Sequence, residues 1–276
     1  MRKSALICII LGLVFFPIWC GFSQDNNFAD EPWERVGVRA GGFLTRLNSS
    51  IRFGVTEGAG LSVNIEDALG LSHNLNVFRI DGYWRFSHNR RHRFDAGYAA
   101  YLRSATRVIQ EDIPIEDDII EAGTTVNSEY DIHVIKLLYS WSFLQDDRVD
   151  MGIGGGFYVM PIYIRVSGED TETKLQDITA PLPVFDFRMD FLVTPKTYFR
   201  LRFDVFYISL SSFTGSILDY ELDYEWKFSK HVGVGVGLEF FSMSLQGKGD
   251  GTGLLQPSAE IQTAYNGIIL YGKLYF

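Results

Sequence analysis

Two sets of side chains have types and spacing that could do chemistry. The first is a pair of matching segments: Phe78-Arg79-Ile80-Asp81, eleven residues, Arg93-Phe94-Asp95, and then Phe187-Arg188-Met189-Asp190, eleven residues, Arg202-Phe203-Asp204. If each copy folds as a hairpin, a turn through Pro195-Lys196-Thr197 sets Arg188 opposite Asp204 and Asp190 opposite Arg202. A turn centred near Ser87 would do the same for the first copy. Facing charges of this kind either line an ion path or neutralise one another as a salt-bridge network. The second set is an acidic row, Asp219, Glu221, Asp223 and Glu225, followed by Gly233, Gly235 and Gly237. A turn at 229–231 brings Glu225 across from Gly235 and Asp223 across from Gly237. Carboxylates at every second position repel unless cations answer them, and the glycines leave space for arginines from a facing wall. The other reading is a cation-preferring path; the spacing specifies no metal.

Catalytic constellations are thin. Asp131 and His133 stand two apart, His73 is the other histidine placed for an outer rim, and His88, His92 and His231 fall in or beside short turns. No nucleophile motif accompanies them. Gly152-x-Gly154-x-Gly156 precedes no helix and so forms no phosphate loop. The expectation is a non-enzymatic protein without cofactor or metal.

The elements that must position these residues are strands. Phe78, Ile80, Gly82, Trp84 and Phe86 alternate with Arg79, Asp81, Tyr83 and Arg85, and the same split of apolar against charged recurs at 185–193, 199–207 and 218–228. With one face apolar and the other charged, the alternation suits a wall between lipid and a polar lumen. A soluble barrel would have to fit its apolar face inside, and the 22 Phe, 14 Tyr and 5 Trp of this chain are too many for that interior. Short connections at 87–92, 144–148, 194–197 and 229–231 alternate with long polar ones at 110–129, 167–180 and 247–258. Trp84-Arg85-Phe86, Trp141-Ser142-Phe143 and Trp226-Lys227-Phe228 each close a strand before a short turn, as an interfacial aromatic girdle would: Trp84, Phe86, Trp141, Phe143, Trp226 and Phe228.

The mean hydropathy of +0.03 excludes a helical membrane bundle. The net charge of -9 disfavours a nucleic-acid partner. Met1-Arg2-Lys3, an apolar run and Cys20-Gly21-Phe22-Ser23 form a secretory signal, 1–23, cleaved after Ser23. Both cysteines, Cys8 and Cys20, leave with it. A short periplasmic segment at 24–33 and a barrel domain at 34–276 follow.

The chain ends on Ile268, Leu270, Gly272, Leu274 and Phe276, and here it resembles the outer-membrane β-barrel proteins of Gram-negative envelopes, whose last strand commonly ends in Phe after alternating apolar positions. It is also similar to an uncharacterised family of small barrels with an Arg-x-Asp-Gly-x-Trp-Arg-Phe strand, matched by Arg79 to Phe86, and a Glu-Asp-x-Leu-Gly-Leu loop, matched by Glu66 to Leu71. The resemblance implies a cell outer-membrane location, membrane lipid as surroundings and the barrel-assembly machinery as partner of the C-terminal strand. It brings no activity.

The sequence therefore reads as an all-β, transmembrane antiparallel β-barrel of about ten strands, with short periplasmic turns and long extracellular loops. Ten follow if 34–63 is one strand interrupted by a bulge, which the change of apolar parity from Val36 and Val38 to Ile51, Phe53 and Val55 suggests; twelve follow if it is a hairpin. The leading function is a narrow channel for small solutes or cations. The alternatives are a sealed structural or surface-binding barrel acting through its loops, and then a hydrolase at the rim.

Overall fold

A computed structural model describes residues 33–56, 59–109, 113–115, 118–120, 122–168, 172–209, 213–247 and 260–276; the signal and the 24–32 segment lie outside them. The strands are β1 (Val36–Thr56), β2 (Ala59–Asn64), β3 (Asn74–Arg85), β4 (His92–Tyr101), β5 (Ser104–Val108), β6 (Ile113–Ile115), β7 (Asp118–Ile120), β8 (Thr125–Gln145), β9 (Val149–Gly168), β10 (Glu172–Thr194), β11 (Thr197–Ser209), β12 (Phe213–Lys227), β13 (Val232–Gly247) and β14 (Glu260–Tyr275). One short helix, α1 (Ile65–Leu69), follows β2. Ten strands, β1, β3, β4 and β8 to β14, pair antiparallel in that order, and β14 pairs back onto β1. Closure removes the sheet edges that lipid cannot satisfy. It is completed at the chain terminus, where the backbone groups of Val36 and Phe276 exchange bonds of 2.9 and 3.0 Å.

The end carrying the short turns is periplasmic in barrels of this kind. At the turn between β8 and β9 the Asp146 carboxylate accepts the backbone N–H groups of Arg148 and Val149, which holds it below the usual carboxylate range.

The outward face is apolar over a limited height. On β13 it runs from Val232 to Phe240, nine residues, which at about 3.4 Å each and a tilt of about 40° make a belt of roughly 20–25 Å. Beyond it both faces change character. Outward positions become polar at Arg46 and Asn48, Asn74 and Asn76, Glu129 and Asp131, and Gln262, while inward positions become apolar at Leu47, Val77, Ile132, Met160, Met243 and Ile261. The outer part of the barrel thus stands clear of the membrane as a cup with a hydrophobic interior.

This inversion corrects the reading of β1. Its ladder with β14 is unbroken from Gly37↔Tyr275 to Arg52↔Glu260, so no bulge separates Val38 from Leu47. The apolar parity changes because the solvent outside changes from lipid to water, while the strand runs straight on. The segment 34–63 is also not one strand: the chain turns back after Thr56 and β2 pairs antiparallel with the outer end of β1, yet the closed barrel keeps ten strands because β2 does not join its ring. The expected loop at 167–180 is also corrected: β9 reaches Gly168 and β10 starts at Glu172, so two strand arms take its place, and β6 and β7 form a small hairpin within 110–129.

Candidate functional site

Inside the membrane belt the lumen is built of charged side chains from every wall. The two matching segments supply eight of them, and Arg79, Asp81, Arg93, Asp95, Arg188, Asp190, Arg202 and Asp204 all point inward. Their partners differ from the hairpin pairing expected. The β10–β11 turn holds only Pro195 and Lys196, so Asp186 faces Asp204, Arg188 faces Arg202 and Asp190 faces Arg200. In the first copy the turn is centred two residues later than Ser87, and Arg85 faces Arg93. Like charges stand opposite each other at Asp186–Asp204, Arg188–Arg202 and Arg85–Arg93; Asp190 meets Arg200 across its own hairpin, and most other answering charges come from elsewhere around the barrel.

At the periplasmic mouth the N-terminal approach folds inward as a plug. Trp33 donates from Nε1 to the Asp146 carbonyl at 2.6 Å and meets Tyr198 edge-on, while Glu34 is bonded to Lys227 and accepts from the Tyr83 hydroxyl at 3.1 Å. The next layer centres on Glu225, which accepts from Arg200 at 2.9 Å, Lys273 at 2.8 Å and the Tyr275 hydroxyl at 2.6 Å. Asp190 lies 3.0 Å from both Arg85 and Arg200 and 3.1 Å from Arg93. Arg188 reaches Asp150 at 2.9 Å and the hydroxyls of Ser140 and Ser142; a side chain at Gly152 would collide with its guanidinium.

Above this, Asp95 joins Arg93 and Arg202, at 2.6 and 2.7 Å, which links the two matching segments across the lumen. Arg39 bridges Asp81, Glu221 and Asp223, and Arg79 bridges Asp81, Glu221 and Glu239. Lys136 binds Asp219 at 2.5 Å and Glu239 at 3.2 Å. The Tyr158 hydroxyl lies between the Asp204 and Asp219 carboxylates and shares its one proton with them. The acidic row is therefore occupied: Asp219, Glu221, Asp223 and Glu225 are 5% exposed or less. Asp223 and Glu225 do face Gly237 and Gly235 as expected, but the space at Gly233 and Gly235 is filled by Tyr275 and Tyr271 rather than by arginines. The free volume left among Arg39, Asp81, Arg93, Asp95, Arg202 and Asp223 is about 50 Å³, room for a few waters.

An aromatic floor closes the charged chamber on its outer side. Tyr101 stacks on Tyr265 with centroids 4.8 Å apart, Tyr265 stacks on Phe241 at 4.6 Å, Phe43 meets Tyr265 edge-on at 5.7 Å, and Tyr158 lies parallel to Phe241 at 6.5 Å. These rings join β1, β4, β9, β13 and β14 across the lumen.

Sequence reasoning placed Arg85, Asp186, Arg200 and Lys227 on the charged face without assigning them to the site, and it missed Glu34, Arg39, Lys136, Asp150, Glu239 and Lys273. The signal was present: counting by twos from outward Trp141 puts Lys136, Ser140 and Ser142 inside. The girdle residues Trp84, Phe86, Trp141, Phe143, Trp226 and Phe228 all lie outward near the periplasmic turns, each at least 41% exposed, and Phe276 is outward beside them. His133 faces outward, its Nδ1 2.9 Å from the Tyr98 hydroxyl, with Tyr163 edge-on to its ring. Asp131 accepts the Arg103 backbone N–H, while His73 bonds the Leu47 carbonyl and lies 3.6 Å from the Asp67 carboxylate.

No protein-family model matches the chain, and the search of curated proteins gave no match. Among solved structures it is similar to the outer membrane protease OmpT from Escherichia coli, at 8% identity and a TM-score of 0.56, covering 94% of this chain and 100% of that one. The translocator domain of the autotransporter NalP from Neisseria meningitidis matches at 8% identity, a TM-score of 0.41 and coverage of 99% and 98%. The outer membrane protein OprG from Pseudomonas aeruginosa matches at 10%, 0.36, and coverage of 88% and 97%. At such identities the likeness to OmpT speaks for fold alone, and that fold, ten antiparallel strands closed around a charged lumen inside an apolar belt, is the outer-membrane β-barrel.

Proposed function

We propose that this protein is a sealed, non-enzymatic outer-membrane barrel that works through its extracellular cup and does not conduct. The observation that carries the reading is the filled lumen: among the described residues a plug of Trp33 and Glu34, a salt-bridged chamber whose central cavity is about 50 Å³, and the aromatic floor stand in series along the barrel axis. A ten-stranded wall lies near the eight-stranded size that side chains can fill, and far below the sixteen of an open porin. This reverses the order of the two leading functions drawn from sequence, because the acidic row that suggested a cation path is neutralised from the facing walls. For the rim-hydrolase reading the described residues offer His73 3.6 Å from the Asp67 carboxylate, with no serine or threonine hydroxyl bonded to a histidine. The terminal strand that ends in Phe276 supports recognition by the barrel-assembly machinery.

The test is conductance of the refolded protein in a planar bilayer. Folded protein, checked by heat-modifiable gel mobility, should give silent membranes. Reproducible steps with potassium-over-chloride selectivity that weaken in Asp223→Asn would restore the cation channel and sink the sealed reading.

A further inference from the structure

The wall of the extracellular cup has a seam. The β3–β4 ladder stops at Arg79↔Ala99. Above it, residues 74–78 of β3 pair only with β1, and Ala100 and Tyr101 of β4 pair only with β8. The strands that carry these two lines outward, β2 and β5, pair with β1 and β8 and, among the described residues, not with each other. Unpaired backbone edges are tolerated only outside the hydrocarbon or under cover. Exposed Phe78 and Leu102 flank the seam on the outside, and the next outward residue above Phe78 is Asn76. The opening thus begins at the outer edge of the apolar belt and leads sideways into the cup.

What covers it is α1, the Glu-Asp-x-Leu-Gly-Leu motif of the sequence. Asn64 caps the helix by accepting from the Asp67 N–H, and Gly70 ends it at φ +72°, a left-handed conformation suited to glycine, with the Arg107 side chain packed against it. Ile65, Leu69 and Leu71 join the buried cluster of Leu47, Val77, Tyr101 and Tyr130. Glu66, 2% exposed, accepts the Ser49 N–H from β1 at 2.8 Å and is bonded to the Arg103 guanidinium. Arg103, 4% exposed, joins β4 to β5, and its guanidinium lies 4.5 Å from the Tyr130 ring centroid. Arg107 of β5 bonds the Asp67 carbonyl. The helix therefore spans the seam with the chemistry of an amphiphile, a carboxylate on a buried guanidinium and an apolar body inside an apolar cup.

We propose that the seam is a lateral binding site for an alkyl carboxylate, whose head takes Arg103 in place of Glu66 and whose chain takes the volume held by Ile65 and Leu69. The helix is then an internal competitor for its own site. Access from the side fits a barrel that is sealed along its axis, and the proposal rests on that reading only for the closed floor beneath the cup.

Binding of radiolabelled dodecanoate to the full chain in phosphatidylcholine nanodiscs, corrected for empty discs, tests this against uncharged dodecanol. Glu66→Gln weakens the competitor and should tighten dodecanoate binding about tenfold over the wild type. Arg103→Gln alone would leave Glu66 buried without its cation and risks misfolding, so the comparison is Glu66→Gln with and without Arg103→Gln. The double variant should lose the preference for dodecanoate over dodecanol. Heat-modifiable mobility verifies folding of each. Folded Glu66→Gln that binds no more dodecanoate than empty discs, or a double variant that binds it as tightly as Glu66→Gln, overturns the site. Conductance of the same preparations reads the aromatic floor separately: current through the wild type would overturn the sealed lumen, whatever the binding result.

Discussion

At the scale of single residues, the lumen shows why charge pattern alone does not give partners. Arg188 and Asp204 carry opposite charges in matching segments, yet Arg188 is satisfied by Asp150 of β9 and by Ser140 and Ser142 of β8, while Asp204 accepts from Tyr158. Removing one member of a buried pair leaves an uncompensated charge and costs about 3–5 kcal/mol. A double-mutant cycle on urea unfolding of Arg188→Ala and Asp150→Ala should therefore give a coupling energy of at least about 1 kcal/mol, whereas Arg188→Ala with Asp204→Ala should add independently. The reverse outcome would mean a β10–β11 register two residues from the one described. Which residues face inward was legible from period two; which of them touch was not, because the two-residue turn at Pro195-Lys196 and the closure of ten strands set those distances.

At the scale of the strand, β1 and β13 each cross two environments without a break. Val234, Val236, Leu238 and Phe240 face lipid, and Ser242 and Ser244 continue the same outward row above it. Leu47 and Met243, buried in the cup, lie on the rows that deeper in the membrane carry Arg39 and Glu239. The parity change in the sequence was visible but carried two physical explanations, a bulge or a change of solvent, and only the ladder distinguishes them. The inversion has a measurable consequence. Leu238→Arg places a charge in the hydrocarbon belt and should destabilise the folded barrel by about 2–4 kcal/mol in lipid vesicles, while Ser244→Arg, on the same row but above the belt, should cost about 1 kcal/mol or less. Equal costs at the two positions would place the membrane boundary elsewhere. The expected loop at 167–180 has the same origin: a polar composition fits a connection and a strand arm clear of the membrane equally well, and only the backbone ladder from Glu172↔Ser167 to Asp177↔Tyr163 distinguishes them.

At the scale of the whole molecule, the barrel is closed three times along one axis, and each closure has a different chemistry. Trp33 and Glu34 fill the periplasmic mouth, opposite charges fill the belt, and stacked rings separate the belt from the cup. Seals in series do not fail singly. Changing Trp33 to Ala should remove the mouth plug and leave bilayers silent, because Phe43, Tyr101, Phe241 and Tyr265 still cross the lumen above it. Changing those four rings together to Ala should also leave little current while the charged chamber stays paired, since its free space admits only a few waters. Current should appear only when mouth, chamber and floor are loosened together, as in the four-ring variant combined with Trp33→Ala, Glu225→Gln and Arg200→Gln, which removes the central pair beneath while keeping the local charge balanced. Planar-bilayer recordings on these three variants, each checked for heat-modifiable mobility, order the barriers. Steady conductance from Trp33→Ala alone would show that the mouth is the sole barrier and that the chamber and rings above it are open to ions.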